Sequence, residues 1–215
     1  MNMGFRGNQV ARVLSEKALG VVVVDTSNEI CGDGPVPHRS VGFARRMMVP
    51  SLDQQAGVLI EAVQNHTPDV LICDEIGRVE EVEAIHTVHN RGPRLFASAH
   101  GNLRGLVANS QLNRLVGGTQ TVTLGDAMAN KLAGKGKKKE TAGKTNGFSK
   151  VRTQRCAQPI FNVVVELQPG SLDEWRVVTD VARAVDLILD GGQYNAQVRR
   201  RDPTNGRVSV ELVRA

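Results

Sequence analysis

The chain has 215 residues, of which 40% are hydrophobic and only 3% are aromatic, and its formal net charge is +5. This length fits one large domain, or one domain with a small appendage, around an aliphatic core. No apolar run approaches the roughly 20 residues that a transmembrane helix needs. The 3 cysteines lie far apart without a Cys-x-x-Cys pair, which argues for a reducing compartment and against a disulfide framework or a zinc site.

The first part of the chain alternates between helix-like and strand-like patterns. Apolar residues at helical spacing indicate helices, and Gly20 ends the first of them. Short apolar runs between the helices indicate buried strands, so the order of elements predicts an open α/β sheet. The predicted helices cover 9–19, 53–65 and 80–90, with short helical pieces at 103–107 and 112–115, and the predicted strands cover 21–25, 70–73, 95–99 and 121–124.

The composition changes at residues 130–150, which are rich in Lys and Gly and nearly free of apolar side chains. This segment predicts a flexible linker. Beyond it, strand patterns, a helix that Thr179 or Asp180 could cap, and a hairpin across 202–206 predict a small α+β unit. The predicted organisation is a sheet domain over 1–129, a linker over 130–150 and the small unit over 151–215.

Polar side chains follow three of the predicted strands at the point where each strand ends. Asp25 is the last residue of the first strand, Asp74 and Glu75 follow the second, and Ser98 and His100 lie at the end of the third. Ligands of open α/β sheets bind beyond the carboxyl ends of the strands. The sequence therefore predicts that these groups converge on one rim of the sheet.

The pair Asp74-Glu75 is the strongest chemical signal in the chain. P-loop NTPases end a buried strand in this way, with the first carboxylate on Mg²⁺ and the second activating a water. The alternative is a solvated strand end followed by a helix cap.

Glu29, in the loop after the first strand, could add a further acid near the γ-phosphate or could be an ordinary polar loop residue. Ser98 and His100 could hydrogen-bond that phosphate or the attacking water, although a lone histidine is more often structural.

A phosphate-binding loop of the pattern Gly-x-x-x-x-Gly-Lys-[Ser/Thr] is missing from the sequence. The segment 142–145 ends in the same way, but Lys138 stands where the first glycine is required. Residues 1–8 contain neither the loop nor the strand that should precede the first helix. We therefore expect either an incomplete piece of an ATPase or a folded pseudo-ATPase that serves as a binding or regulatory module. The missing strand also predicts that the isolated chain is marginally stable or prone to aggregate.

With these motifs in view, the chain resembles the stage III sporulation protein AA family, in its cyanobacterial and plastid branch. This branch joins an AAA/RecA-like P-loop ATPase to a small single-stranded nucleic-acid-binding domain named for an Arg-x-x-x-His motif, which does not occur in this sequence. The matching segments are 24–30, 32–34, 44–50, 64–68, 74–78, 97–101 and 115–118.

The resemblance implies a RecA/AAA-like P-loop NTPase sheet, truncated at its N-terminus, that uses ATP and Mg²⁺. It implies that Asp74 holds Mg²⁺, that Glu75 activates water, and that Ser98 with His100 senses the γ-phosphate. Glu29 is a secondary catalytic candidate, and Asp25 joins Ser98 as a candidate cofactor-binding residue. A hexameric ring and residence in a plastid (chloroplast) or a cyanobacterial cytoplasm are also implied.

Basic residues leave two further questions open. Oligomeric NTPases often reach a neighbour's phosphate with an arginine, and the candidates for this role are Arg45, Arg46, Arg78, Arg91 and Arg94. The lysines of 130–150 and the cluster 199–201 could instead attract nucleic acid, which would give a steep salt dependence.

Overall fold

The computed structural model describes residues 4–17, 19–123, 151–168 and 170–215. The predicted linker at 130–150 lies outside these residues. In chain order the helices are α1 (Gly4–Ser15), α2 (Gln55–His66), α3 (Val79–Asn90), α4 (Leu103–Ala108) and α5 (Val181–Leu189). The strands are β1 (Val21–Asp25), β2 (Arg45–Met48), β3 (Val70–Cys73), β4 (Arg94–Ala97), β5 (Thr119–Thr123), β6 (Val151–Arg155), β7 (Val164–Leu167), β8 (Glu174–Val178), β9 (Asn195–Arg201) and β10 (Val208–Arg214).

A parallel sheet with the strand order β2-β1-β3-β4 forms the first layer of the fold. The two central strands, β1 and β3, are buried at every position. Parallel strands that are covered on both faces read as continuous apolar runs, and these two runs are the strongest strand signals in the sequence. The expected α/β class is therefore confirmed, with a parallel sheet of four strands.

Helices cover both faces of this sheet, and the faces alternate along each strand. Val22 and Leu71 belong to the core under α2 and α3, whereas Val23 and Ile72 belong to the core under α1. This alternation follows from the period of two in a β-strand. The carboxyl ends of β1, β3 and β4 consequently lie at one edge of a sheet that is held on both sides.

Three strands, β2, β5 and β6, differ from the sequence-based prediction. Strand β2 was not predicted, because Arg45 and Arg46 break any apolar run and the strand is a partly exposed edge. The prediction that 121–124 forms a further strand of the parallel sheet is wrong. Residues 119–123 form β5, which pairs antiparallel with the unpredicted strand β6. The alternating Thr-Gln-Thr-Val-Thr pattern fits an exposed antiparallel pair of strands and not a buried parallel strand.

The first helix ends earlier than Gly20. Its last residue, Ser15, is buried, and its hydroxyl donates to the carbonyl of Arg12 and accepts the N–H of Phe43 at 3.1 Å. The hydroxyl therefore competes with the helical hydrogen bonds and fastens the helix end to the loop before β2.

A second, antiparallel sheet has the strand order β10-β9-β8-β7 and carries α5 on one face. Asp180 caps α5 by accepting the N–H of Arg183 at 3.0 Å, and β9 and β10 form the predicted hairpin. Leu103 and Val107 of α4 pack into the same core as Val178 and Val185. The predicted division of the chain at 130–150 stays a prediction, and this core contains residues from both sides of it.

Among the described helices, none combines the length and the apolar character needed to cross a membrane.

Gly117 offers a test of the close approach between the segment before β5 and the segment after β6. Its φ is +107°, and an added Cβ would lie 2.6 Å from the carbonyl oxygen of Ala157. Gly92 has nearly the same φ, +104°, but an added Cβ meets nothing within 4 Å. Both alanine variants suffer backbone strain, and only Gly117→Ala adds a clash, so it should lose about 1–3 kcal/mol more. Denaturant unfolding measures this difference, and equal losses would contradict the close approach of these two segments.

Candidate functional site

Asp74 lies at the carboxyl end of β3 and is 4% exposed. Its carboxylate accepts the N–H of Thr26 at 3.1 Å and the hydroxyl of Ser27 at 2.8 Å. A buried carboxylate needs such donors, because burial without them is costly. The contact ties the end of β3 to the loop that follows β1.

Asp25, at the end of β1, is fully buried and accepts the N–H of Cys31 at 2.7 Å and that of Ile30 at 3.5 Å. Its carboxylate therefore closes the loop that begins at Thr26. Burial raises the pKa of Asp25 above its ordinary value, and the neighbouring charge of Asp74 raises it further, although the two backbone N–H groups act in the opposite direction.

Glu75 follows Asp74 in a left-handed backbone conformation with φ +44°. This conformation is uncommon for a residue other than glycine and costs on the order of 1–3 kcal/mol. Its N–H donates to the hydroxyl of Ser98 at 3.0 Å, and its half-exposed carboxylate lies 3.6 Å from Nε2 of His100. The two adjacent carboxylates therefore have different surroundings, since Asp74 is buried and Glu75 is open to solvent.

The residues after β4 continue its pairing with β3. The N–H of Ser98 donates to the carbonyl of Cys73, and the N–H of Ile76 donates to the carbonyl of Ser98 at 2.9 Å. Ser98 is therefore fixed by its backbone, while the side chain of His100 is 91% exposed. A histidine this open can move toward a ligand or away from it.

Gln55, the first residue of α2, is a site residue that the sequence did not reveal. Its side chain is 1% exposed, and Nε2 donates to the backbone carbonyl of Asp74 at 2.8 Å. Glu81 supports the same loop from α3 by accepting the N–H groups of Gly77 and Arg78 at 2.8 and 3.0 Å. The available signal for Gln55 is a polar side chain four residues before the buried Leu59, on the inner face of the helix.

The five candidate arginines lie in different parts of the fold. Arg46 donates to the carbonyls of Gly32 and Gly34 and so closes the glycine-containing loop before β2. Arg91 and Arg94 line a cavity of about 630 Å³ at the amino end of the sheet, opposite to Glu75. Arg45 begins β2 and lies beside Val22 at the start of β1. Arg78 is the candidate that lies in the loop following Glu75.

The structure thus brings together two groups of predicted residues. Asp25 and Asp74 meet at the loop after β1, and Glu75 meets Ser98 and His100. Glu29 is half-buried in the loop after β1, and among the described residues it forms no hydrogen bond or ion pair with the other candidates.

The residues present are compatible with Mg²⁺. Among the described residues, no cluster of three or more His, Cys, Asp or Glu could hold a metal, but Mg²⁺ usually binds through one or two carboxylates together with waters and phosphates. The hydroxyl oxygen of Thr26 is buried and has no hydrogen-bond partner within the described part of the chain. This oxygen and the carboxylate of Asp74 are ligand types that Mg²⁺ prefers.

These features define a protein with a parallel α/β sheet and a cluster of carboxylates, hydroxyls and a histidine at its carboxyl edge. No protein-family model matches the chain. The chain is similar to the uncharacterized protein ycf45 of Porphyra purpurea, with 42% identity over 205 residues, which cover 94% of this chain and 33% of that protein. The same protein of Cyanidium caldarium is 38% identical over 206 residues, covering 95% and 56%.

The chain is also similar to two further proteins. SEEDLING PLASTID DEVELOPMENT 1 of Arabidopsis thaliana is 40% identical over 194 residues, which cover 89% of this chain and 26% of that protein. Stage III sporulation protein AA of Bacillus subtilis is 32% identical over 96 residues, 43% of this chain and 30% of that protein. The chain spans from 26% to 56% of the length of these relatives. The two ycf45 proteins and SEEDLING PLASTID DEVELOPMENT 1 support the predicted plastid or cyanobacterial origin. The similarity to the sporulation protein is partial.

The buried amide of Gln55 gives a stability prediction. Gln55→Met keeps the volume but removes the donor to the carbonyl of Asp74, so the free energy of unfolding should fall by about 1–3 kcal/mol. Gln64→Met, at an exposed position of the same helix, should stay within about 0.5 kcal/mol of wild type. Denaturant unfolding of both variants measures the difference in stability. Indistinguishable midpoints would show that the hydrogen bond from Gln55 does not contribute to the free energy of unfolding.

The buried carboxyl of Asp25 gives a pH prediction. Its folded-state pKa is raised above 3.8, so the folded protein holds this proton more tightly than the unfolded chain does. The stabilising contribution is complete below pH 3.8 and disappears as the pH rises through the raised value. The unfolding free energy of wild type minus that of Asp25→Asn should therefore fall as the pH rises from 3.8. Thermal melts across this range test the sign, and a difference that grows with pH would contradict it.

Proposed function

We propose that this chain forms the acidic half of the nucleotide site of a RecA/AAA-like ATPase related to stage III sporulation protein AA. The observation that supports this most is the arrangement around Glu75, which lies next to the buried Asp74 and contacts Ser98 and His100 at the carboxyl edge of a parallel sheet. This is the edge at which open α/β sheets bind their ligands.

The carboxylate of Asp74 and the unpartnered hydroxyl of Thr26 would hold the Mg²⁺ ion of Mg·ATP. When bound, the ion would neutralise charge on the phosphates. The loop after β1 must then release part of its hold on Asp74, because the same carboxylate accepts hydrogen bonds from Thr26 and Ser27. We expect ligand binding to change the hydrogen bonds of this loop first.

Glu75 would act on water. Its carboxylate is exposed enough to meet a solvent molecule, and the left-handed backbone together with the bond to Ser98 holds it at the rim. Hydrolysis needs a group that orients the water and takes its proton. His100, at 3.6 Å from the carboxylate, would respond to the change in charge at Glu75.

The phosphate-binding loop would have to come from outside these 215 residues. Among the described strands, β4 pairs on one side only, with β3, and its Phe96 is 42% exposed. An open edge of this kind accepts a further strand. A parallel strand added there would end beside Ser98, and we propose that the phosphate-binding loop follows such a strand.

A pseudo-ATPase that serves as a binding or regulatory module is the second candidate. The observation in its favour is that the oxygens of Asp25 and Asp74 already accept backbone or hydroxyl hydrogens within the fold. In this case the carboxylates maintain the loop after β1 and bind no metal.

A nucleic-acid function has less support. The side chain of Arg200 is paired with Glu174 and Glu211, and that of Arg201 is paired with Asp173. Two of the three arginines at 199–201 are therefore neutralised by carboxylates on or directly before strands of the same sheet, which weakens the attraction to phosphates that the sequence suggested.

Calorimetry with Mg·ATP separates the first two candidates. We expect weak binding, with a dissociation constant near 1 mM or about −4 kcal/mol, because the phosphate-binding loop is missing from this chain. Asp74→Asn should abolish binding, whereas Glu75→Gln should retain binding and lose any release of phosphate. Asp33→Asn, at an exposed carboxylate in the following loop, is the matched control and should bind as wild type does. Equal binding by Asp74→Asn, or no heat with wild type at several millimolar, would favour the pseudo-ATPase.

A further inference from the structure

One face of the antiparallel sheet of β7 to β10 is covered by helices. Its inner face packs against α5 and α4 through residues such as Val178 and Ala196. Successive residues of a strand point to opposite faces, so the alternate residues form a second surface, called the outer face here. By the strand register, the outer face consists of Val165, Leu167, Trp175, Val177, Asn195, Gln197, Arg199, Arg201, Val208, Val210, Leu212 and Arg214.

This outer face is far more apolar than a solvated sheet face should be. Antiparallel sheets usually present polar residues on the side away from the core. Here Val165 is 50% exposed, Val210 is 57% exposed and Leu212 is 77% exposed, whereas Val177 near the middle of the face is only 7% exposed. An exposed apolar surface that spans several strands marks an interaction site.

Arg199 lies near the middle of the outer face, which also carries Arg201 and Arg214 towards its ends. Its Nε and Nη2 donate to Oε1 of Gln197, at 3.1 and 2.7 Å. A guanidinium carries five N–H donors, so donors remain after these two bonds. The neighbouring Arg200 and Arg201 are paired with carboxylates, whereas Arg199 has no carboxylate partner among the described residues. Of the two cluster members on the outer face, Arg199 and Arg201, Arg199 is thus the one that lacks a carboxylate partner among the described residues.

We propose that the outer face binds an amphipathic protein segment whose apolar side chains are flanked by carboxylates, one of which pairs with Arg199. The strand spacing and length give the sheet face an area of roughly 400 Å². That area fits one helix about 10 Å across and falls short of the roughly 800 Å² per partner of a standard protein interface.

Other occupants fit the outer face less well. A second copy of the same face would bring Arg199 against its own counterpart, and like charges in an interface are unfavourable. Residues 130–150 are rich in lysine and repeat the sign of Arg199. Single-stranded nucleic acid is usually held on sheets by several stacked aromatic side chains, and the outer face contains only Trp175.

Binding to the outer face can be followed by the fluorescence of Trp175, because it is the single tryptophan of the chain. The probe is a synthetic 18-residue helical peptide with leucines on one face and glutamates along its flanks, beside a matched peptide with lysines in place of the glutamates. We expect a saturable blue shift of the emission with the acidic peptide, and at least tenfold weaker binding of the basic one.

Three variants test whether the peptide binds at the outer face. Arg199→Gln should weaken binding of the acidic peptide by about tenfold and should not weaken binding of the basic peptide, because it removes only the cation. Leu212→Glu should abolish binding. Ser209→Glu places the same charge on the same strand but on the inner side, and it should bind as wild type does. Circular dichroism and the melting temperature confirm that each variant is folded.

Several outcomes would overturn the proposal. An unchanged tryptophan emission with both peptides would do so, and so would equal affinity for the acidic and basic peptides. A concentration-dependent dimer in light scattering that Leu212→Glu dissociates would assign the outer face to a second copy of the chain. Saturable quenching by an oligothymidine, in the absence of peptide binding, would assign it to nucleic acid.

Discussion

The candidate site depends on one buried carboxylate, that of Asp74. Asp74 ends β3, and its oxygens accept hydrogens from Thr26 and Ser27 in the loop after β1. Because the side chain of Asp74 turns inward and Gln55 holds its backbone carbonyl, the next residue, Glu75, is left at the rim in a left-handed conformation. The loop after β1 and the position of Glu75 therefore depend on the same residue.

The candidate site is also connected to the antiparallel sheet. Ser98 and His100 precede α4, and the first N–H of that helix, from Leu103, donates to the buried carboxylate of Glu166 at 2.9 Å. Glu166 lies on β7 and also contacts Arg176 and the hydroxyl of Tyr194. A buried carboxylate with several donors is a costly contact to break. A movement of the loop at Ser98 would thus be transmitted to β7 through only a few residues.

The parts of this fold that the sequence predicts are those with a strong local signal. Strands β1 and β3 are continuous apolar runs, and the convergence of Asp25, Asp74 and Ser98 follows from the direction of parallel strands. Strands β2 and β6 carry no such signal, because they are exposed edges whose pairing is decided by tertiary contacts. The role of Gln55 is equally hidden, since its hydrogen bond joins residues that only the folded chain brings together.

The most direct test of the account is a titration of the chain with Mg·ATP followed by the backbone amide signals in heteronuclear NMR. If the carboxyl edge is the nucleotide site, the amides of Thr26, Ser27 and Glu75 should shift together, because they depend on Asp74 and Ser98 for their partners. The amide of Gly20, bonded to Asp69 at the opposite end of the sheet, should stay in place. Shifts confined to the amino end, or no shifts at millimolar Mg·ATP, would contradict the proposed site.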